Sequence, residues 1–290
     1  MDLTAFADEV GSVGPVTIVG RGTRGGAVRD VRCVTAPTGI EWIQADEMTV
    51  GCGAGTPIDE LDAALREVGQ RSVLPAGGTV GGALAMGRSG VRRLGDGPLR
   101  DALLQTRYVG ADGSVVKAGG PTVKNVSGFD VCRLLVGSQG TLGFLGDVIV
   151  RTRPIALSSQ WFVGDRRDPF AVLAAAYRPV SVLWNGVDVW VLLEGHARDV
   201  AEQADRLRLA ECDAPPPMPR HRRVVAPSTI GAAVDSLPRG EFVVEMGVGV
   251  VHSDVDVALP SSDPAVARLA GRVKQQFDPA GRLNPGVVVG

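Results

Sequence analysis

The sequence predicts an α+β fold in two domains, and three observations predict it. Glycine crowds the first half, where its clusters follow short β-branched runs. A proline, Pro154, closes the last strand of that half. From about Ser158 the texture changes to strands interleaved with amphipathic helices. A chain of 290 residues that is 44% hydrophobic has apolar surface enough for two ordinary cores.

The elements follow in order. "VTIVGRGTRGG" from Val16 opens as a strand and runs into a glycine loop. "TVGCGAGTPIDELDAALREVGQ" reads as a strand feeding a helix. Thr56 is its expected N-cap, Pro57 the first helical position and Asp59 the third; Ile58, Leu61, Leu65 and Val68 share one face, and Gly69 is the stop. From Leu74 to Leu104 glycine recurs too often for any regular element to be expected. "LLQTRYVGADGSVVKAGG" is a hairpin about Ala111–Ser114, and a strand is expected from about Val148 to Thr152.

Beyond Ser158, "SSQWFVGD", "DPFAVLAAAYRP", "SVLWNGVDVWVLLEG" and "ARDVAEQADRLRLAE" read as strand, helix, two strands about Asn185-Gly186, and helix. That is the start of a ferredoxin-like layer. "APPPMPRHRR" is expected as an exposed loop, "GEFVVEMGVGVVHSD" as strand and "DPAVARLAGRVKQQFD" as a last amphipathic helix before "PAGRLNPG".

A net charge of -2, with no run of Lys or Arg, makes no electrostatic case for nucleic acid. Cys33, Cys52, Cys132 and Cys212 stand apart, without the short spacing of a zinc or iron–sulfur site, and are expected as isolated buried thiols. "MDLTAFADEV" lacks a secretory signal, and no stretch of about 18 apolar residues is present. The expectation is a cytoplasmic protein without direct membrane insertion and without a metal site.

Gly20, Gly22 and Gly25 spell G-x-G-x-x-G after a strand. The dinucleotide fingerprint needs a helix opening there, whose N-terminal N–H groups hold the pyrophosphate. "GAVRDVRCVTAP" follows instead, and its Val28, Val31, Val34 and Thr35 favour extended chain. Consecutive N–H groups in a tight glycine turn can hold an anion without a helix. "GRGTR" offers such a nest with Arg21 and Arg24 to offset charge, and "GGTVGG" could close on the same group from the other side.

These motifs together with "GAGTPIDEL", "TVKNVSGFDVCRLLVGSQGTLGFLGDV" and "FDPAGRLNPG" resemble the vanillyl-alcohol-oxidase/PCMH family of FAD-binding proteins; "TVKNVSGFD" and "GSQGTLG" look most like the E subunit of bacterial glycolate oxidase. The resemblance is strong over about residues 1–155, good over the last fifteen and weak between. It implies an FAD-binding PCMH-type domain of two α+β subdomains over 1–155, a small ferredoxin-like cap domain over 156–272, and a tail over 273–290 that packs back. Carried over by position, Gly20, Arg21, Gly22, Thr23 and Arg24 form the pyrophosphate loop. Gly78, Thr79, Gly81, Gly82, Ser89 and Gly90 form the second loop; Leu142, Gly143 and Leu145 meet the flavin or adenine side. Asn125, Gly128 and Asp130 either shape the pocket or make a structural turn. Thr23 occupies the place where some relatives carry a flavin-linking histidine, which implies non-covalent FAD.

The D subunits of this family carry a histidine-rich metal pattern that is missing here, where the histidines are His196, His221 and His252. The expectation is therefore a flavin-bearing subunit of a glycolate or 2-hydroxy-acid dehydrogenase, beside a catalytic flavoprotein subunit and an iron–sulfur subunit. A self-sufficient small oxidase or dehydrogenase of a polyol, sugar acid or hydroxy acid, and a flavin-binding scaffold, are the alternatives. No catalytic residue is assigned. His252 as a base, Arg92 and Arg93 as a carboxylate clamp, and Arg282 and Asn284 over the flavin edge each have an equally simple structural role.

Overall fold

The computed structural model describes residues 1–25, 28–121, 130–165, 167–255 and 263–287. The chain begins with α1 (Thr4–Val10), β1 (Val16–Ile18), β2 (Arg32–Val34), β3 (Ile40–Gln44), β4 (Thr49–Gly53), α2 (Ile58–Glu67) and β5 (Gln70–Ser72). It continues through α3 (Val80–Met86), α4 (Arg93–Asp96), β6 (Leu103–Val109), β7 (Val115–Gly119), α5 (Val131–Leu135) and β8 (Phe144–Pro154). Then come β9 (Ser158–Gly164), α6 (Pro169–Ala175), β10 (Ser181–Trp184), β11 (Val189–Gly195), α7 (Ala197–Leu207), β12 (Ala210–Cys212) and β13 (His221–Val224). The last are α8 (Ile230–Val234), β14 (Phe242–Glu245), β15 (Val250–Ser253) and α9 (Pro264–Phe277).

The contacts divide the chain into two units. One comprises Met1–Gly90, Pro98–Ile155 and the described C-terminal segment from Asp263; the other comprises Val91–Gly97 and the described residues from Ala156 to Val255. Beside the division at 155/156, Val91–Gly97 groups with the second unit, where Gly95 of α4 donates its N–H to the Val180 carbonyl, and the C-terminal segment joins the first unit from Asp263 in place of the expected 273, with Val273 and Phe277 of α9 packed on the first core.

In the first unit β1 pairs in parallel with β2, and Val16 also bridges Leu283. Phe6, Val10, Val34, Val109 and Phe144 close a small core around this ribbon. A six-stranded antiparallel sheet, with order β3-β4-β8-β6-β7 and β5 added on β8, carries α2 and α3 over a larger core. Ile58, Leu61 and Leu65 of α2 are fully buried there, each contributing roughly 1.5–3 kcal/mol of transfer free energy.

The second unit is a seven-stranded antiparallel sheet of order β12-β9-β11-β10-β14-β15-β13. From β9 to β12 its elements run β-α-β-β-α-β, the ferredoxin-like pattern. Asn185 makes the β10–β11 turn, its Oδ1 accepting the N–H groups of Val187 and Asp188, and Gly186 takes φ +90°.

Several local expectations need correction. Helix α2 has Pro57 as its N-cap. Thr56 is turned inward, its hydroxyl accepting the Gly39 N–H at 2.9 Å, and Val68 is exposed. The glycine-rich run from Leu74 does hold helices. Thr79 caps α3 by accepting the Gly82 N–H, and Gly87 ends it in the left-handed region at φ +64°, a pair of signals strong enough to outweigh two internal glycines. Strand β8 starts at Phe144, four residues earlier than expected, because Tyr108 and Val109 of β6 pair with Leu145 and Phe144. His221, Arg222 and Arg223, placed in the exposed loop, lie in β13. Of the four thiols only Cys52 and Cys132 are buried; Cys33 is exposed and Cys212 intermediate.

Candidate functional site: a glycine-walled cavity

A cavity of about 450 Å³ opens in the first unit between the loop after β1, the start of α3, the 138–145 segment and the C-terminal tail. Val19 ends the strand pairing by donating its N–H to the Val34 carbonyl. Gly20, Arg21, Gly22, Thr23, Arg24 and Gly25 then line the cavity. Gly22 and Gly25 have φ of +68° and +126°, and open space lies where a Cβ would stand. Main chain therefore forms this wall. The chain next reaches β2, and no helix stands in this segment among the described residues, which disposes of the Rossmann arrangement.

The second glycine loop lies against the first. A Cβ on Gly20 would come 2.7 Å from Thr79 Oγ1, and one on Gly78, at φ +71°, would collide with Thr23 and Arg24. Arg24 joins the two loops, its Nη1 donating to the Gly77 carbonyl at 2.5 Å and its Nη2 to those of Pro75 and Ala76 at 2.6 and 2.9 Å. Burial pushes the Arg24 pKa down from its ordinary value. Arg21 pairs with Asp59 of α2 at 2.9 Å, which holds that exposed carboxyl below its ordinary value. The two arginines expected to offset anionic charge are thus both engaged by the protein.

Thr79, Gly81 and Gly82 also line the cavity. The first N–H groups of α3 are spent internally: Val80 donates to the Thr56 carbonyl, Gly81 to that of Ala54 and Gly82 to Thr79 Oγ1. A Cβ on Gly81 would press on Ala54. These two glycines therefore present close-packed surface, and the donors expected of them serve the fold.

Gly143 and Leu145 line the cavity, whereas Leu142 packs into the larger core. Gly78, Ser89 and Gly90 stand outside its lining; the Ser89 hydroxyl accepts the Leu99 N–H at 3.0 Å. Asp130 caps α5 through the Arg133 N–H, and Asn125 and Gly128 lie outside the described residues. Lining residues that sequence reasoning missed include Ile18, Met86, Leu135, Gln139, Phe144 and Val287. Gln139 sits at φ +52° beside Gly140, and the "SQG" triplet was its available signal.

The walls suit a dinucleotide. Aliphatic and aromatic groups at Ile18, Leu135, Phe144 and Leu145 accept flat ring systems, while a glycine loop with the Thr23 and Thr79 hydroxyls offers a polar centre. Among the described lining residues the charged side chains are Arg21 and Arg24 alone.

In the second unit, His252 Nε2 lies 2.8 Å from Glu245 Oε1, with Glu245 2% exposed. Arg92 Nη2 donates to Glu194 at 2.5 Å and Arg92 Nε meets Asp96 at 3.4 Å, so Arg92 is engaged within its own unit. No group of three His, Cys, Asp or Glu among the described residues could hold a metal ion. No helix in the described residues is long and apolar enough to cross a membrane.

Residues 12–119 match the family model described as FAD binding domain. Glycolate oxidase subunit GlcE of Escherichia coli (strain K12) is 37% identical over 183 residues, covering 59% of this chain and 51% of that protein. D-lactate dehydrogenase of Archaeoglobus fulgidus is 38% identical over 143 residues, covering 47% and 32%. The aligned part thus spans about half of the first relative and a third of the second. Two structures of alkyldihydroxyacetonephosphate synthase superimpose with TM-scores of 0.65 and 0.68 at 13% and 11% identity. They cover 94% of this chain and 71% and 73% of theirs, a likeness of fold: the PCMH-type FAD-binding fold.

Proposed function

We propose that this chain, an FAD-binding protein of the PCMH type related to glycolate oxidase and D-lactate dehydrogenase flavoproteins, works as the flavin-bearing subunit of a 2-hydroxy-acid dehydrogenase. It stands beside a catalytic flavoprotein subunit and passes electrons to an iron–sulfur partner. Bound FAD supplies the acceptor for a hydride or electrons. The chain's own residues hold it: the Gly20–Gly25 loop packs around the diphosphate, Thr79 and Arg24 keep the second loop closed on the first, and Ile18, Leu135 and Phe144 exclude water from the rings. Binding is non-covalent, since Thr23 holds the linking position and neither His nor Cys is among the described lining residues.

One observation carries the subunit reading. Oxidising a hydroxy acid calls for a base to take the hydroxyl proton and a cation to clamp the carboxylate. The described cavity wall offers no base, and both of its cations are engaged by Asp59 and by main-chain carbonyls. The self-sufficient alternative would need a base from outside the described cavity wall.

The test is absorbance of the purified chain, alone and with its co-purifying partners, before and after glycolate or lactate. Flavin that bleaches only in the company of partners is the expected result. Bleaching by the chain alone establishes the alternative, and a chain that takes up no flavin overturns both.

A further inference from the structure

Asn284 joins two cavity walls that lie far apart in sequence. Its Oδ1 accepts the Ile18 N–H at 3.2 Å, at the end of the strand that feeds the Gly20–Gly25 loop, and its Nδ2 donates to the Gln139 carbonyl at 2.7 Å. The residue sits in the left-handed region at φ +44°, and a Cβ on the adjoining Gly140 would come 2.6 Å from its Nδ2. Asn is among the few side chains that tolerate this backbone while presenting both a donor and an acceptor. Asn284 and Val287 themselves line the cavity.

The tail that carries Asn284 is anchored independently of the cavity. Asp278 accepts the N–H groups of Arg282 and Leu283 at 3.0 and 2.8 Å and the Lys274 ammonium at 2.6 Å. Arg282, 5% exposed, donates to the carbonyls of Val10, Gly11, Val13, Gly14 and Ala111. The Val16 N–H donates to the Arg282 carbonyl and the Asn284 N–H to that of Val16, each at 2.9 Å, so the tail makes a single parallel bridge, Val16–Leu283, beside β1. With Asp278 and Arg282 fixing the segment, the Asn284 carboxamide is left to set the spacing of the two walls.

We infer that Asn284 is a positioning residue of the cofactor cavity, and that the docked C-terminal segment is a required wall of it, so that FAD binding and tail docking are thermodynamically coupled. This rests on the flavin reading above. Coupling is reciprocal: a tail that strengthens FAD binding is itself held more firmly when FAD is bound.

The test compares Asn284→Asp, which keeps the acceptor and the left-handed backbone but loses the donor, with Asn284→Gly, which keeps the backbone alone. FAD titration and melting of the cofactor-free full chain are read in each. The expected result is an FAD Kd raised about tenfold in the glycine variant, and raised also in the aspartate variant, whose carboxylate faces the Gln139 carbonyl, with little change in apo melting. In the wild type, FAD is expected to slow hydrogen exchange at the Ile18 amide and through Arg282–Asn284. Unchanged Kd in both variants, or exchange indifferent to FAD, overturns the assignment while leaving the flavin reading intact. A wild-type chain that binds no FAD overturns the flavin reading and this inference with it.

Discussion

The Arg24 guanidinium lies where a side chain on Gly78 would have to stand, and the carbonyls it binds are those of the three residues before that glycine. Replacing Gly78 by Ala would force a left-handed backbone on a residue with a Cβ and push Arg24 out of its seat. The left-handed term alone is worth about 1–2 kcal/mol. The Gly78→Ala chain is expected to melt several degrees lower and to bind FAD more weakly, because the loop Arg24 retains also carries the capping Thr79. Melting and flavin titration measure both; a variant with unchanged melting would show that the two loops close by other means.

Acid should release the tail. Burial by itself raises the Asp278 carboxyl, but the donors from Lys274, Leu283 and Arg282 outweigh it and hold the group below the usual 3.8. A carboxylate lowered in the folded state contributes stability that is complete above its unfolded value and is lost as pH falls through the folded one. Protection of the Arg282 and Leu283 amides, taken relative to the intrinsic exchange rate at each pH, is therefore expected to fall below about pH 4. In Asp278→Asn the loss of protection should already be present at neutral pH, with no acid step. An acid step that persists in that variant would assign the transition to another group.

The Glu245–His252 contact should behave as a buried pair. Removing only His252 leaves Glu245 Oε1, in a residue 2% exposed, without the hydrogen-bond partner it has there, at a cost of roughly 1–3 kcal/mol. Removing both together, as Glu245→Leu with His252→Leu, should cost much less. Urea unfolding of the intact chain, of Glu245→Leu and His252→Leu singly, and of the double variant gives the coupling; purely additive effects would mean that the two side chains do not sense one another.

Thiol labelling should separate the cysteines by burial. Burial, and after it the charge of Asp147, pushes Cys52 up to about 12, while burial and Asp130 push Cys132 to about 11. At pH 8 the exposed Cys33 is expected to label first, with Cys52 and Cys132 silent until urea unfolds the chain. Rapid labelling of Cys52 in the native protein would contradict its place in the core.

Much of this was legible in the residues. The hairpin of β6 and β7 followed from "ADGS" between β-rich runs, and the β-α-β-β-α order of the second unit followed from alternating patterns and the Asn185-Gly186 turn. α3 was illegible because its glycines argue against a helix locally, and its stability comes from outside: the Thr56 and Ala54 carbonyls take its first N–H groups. The roles of Arg21 and Arg24 were illegible for a similar reason. Charge is visible in a sequence, but the Asp59 carboxylate and the Pro75–Gly77 carbonyls that engage it are not.

Local chemistry by itself determined where the chain turns, which stretches extend, and that glycine at such density serves backbone geometry or close approach. Only the tertiary structure decided between those two uses. Gly22 answers a left-handed φ and Gly81 the nearness of Ala54, and a distance to a residue from another element is written nowhere in the neighbouring letters. Asn284 belongs to the same class: what makes it part of the cavity is its reach from Ile18 to Gln139, which exists only once the two ends of the chain have met.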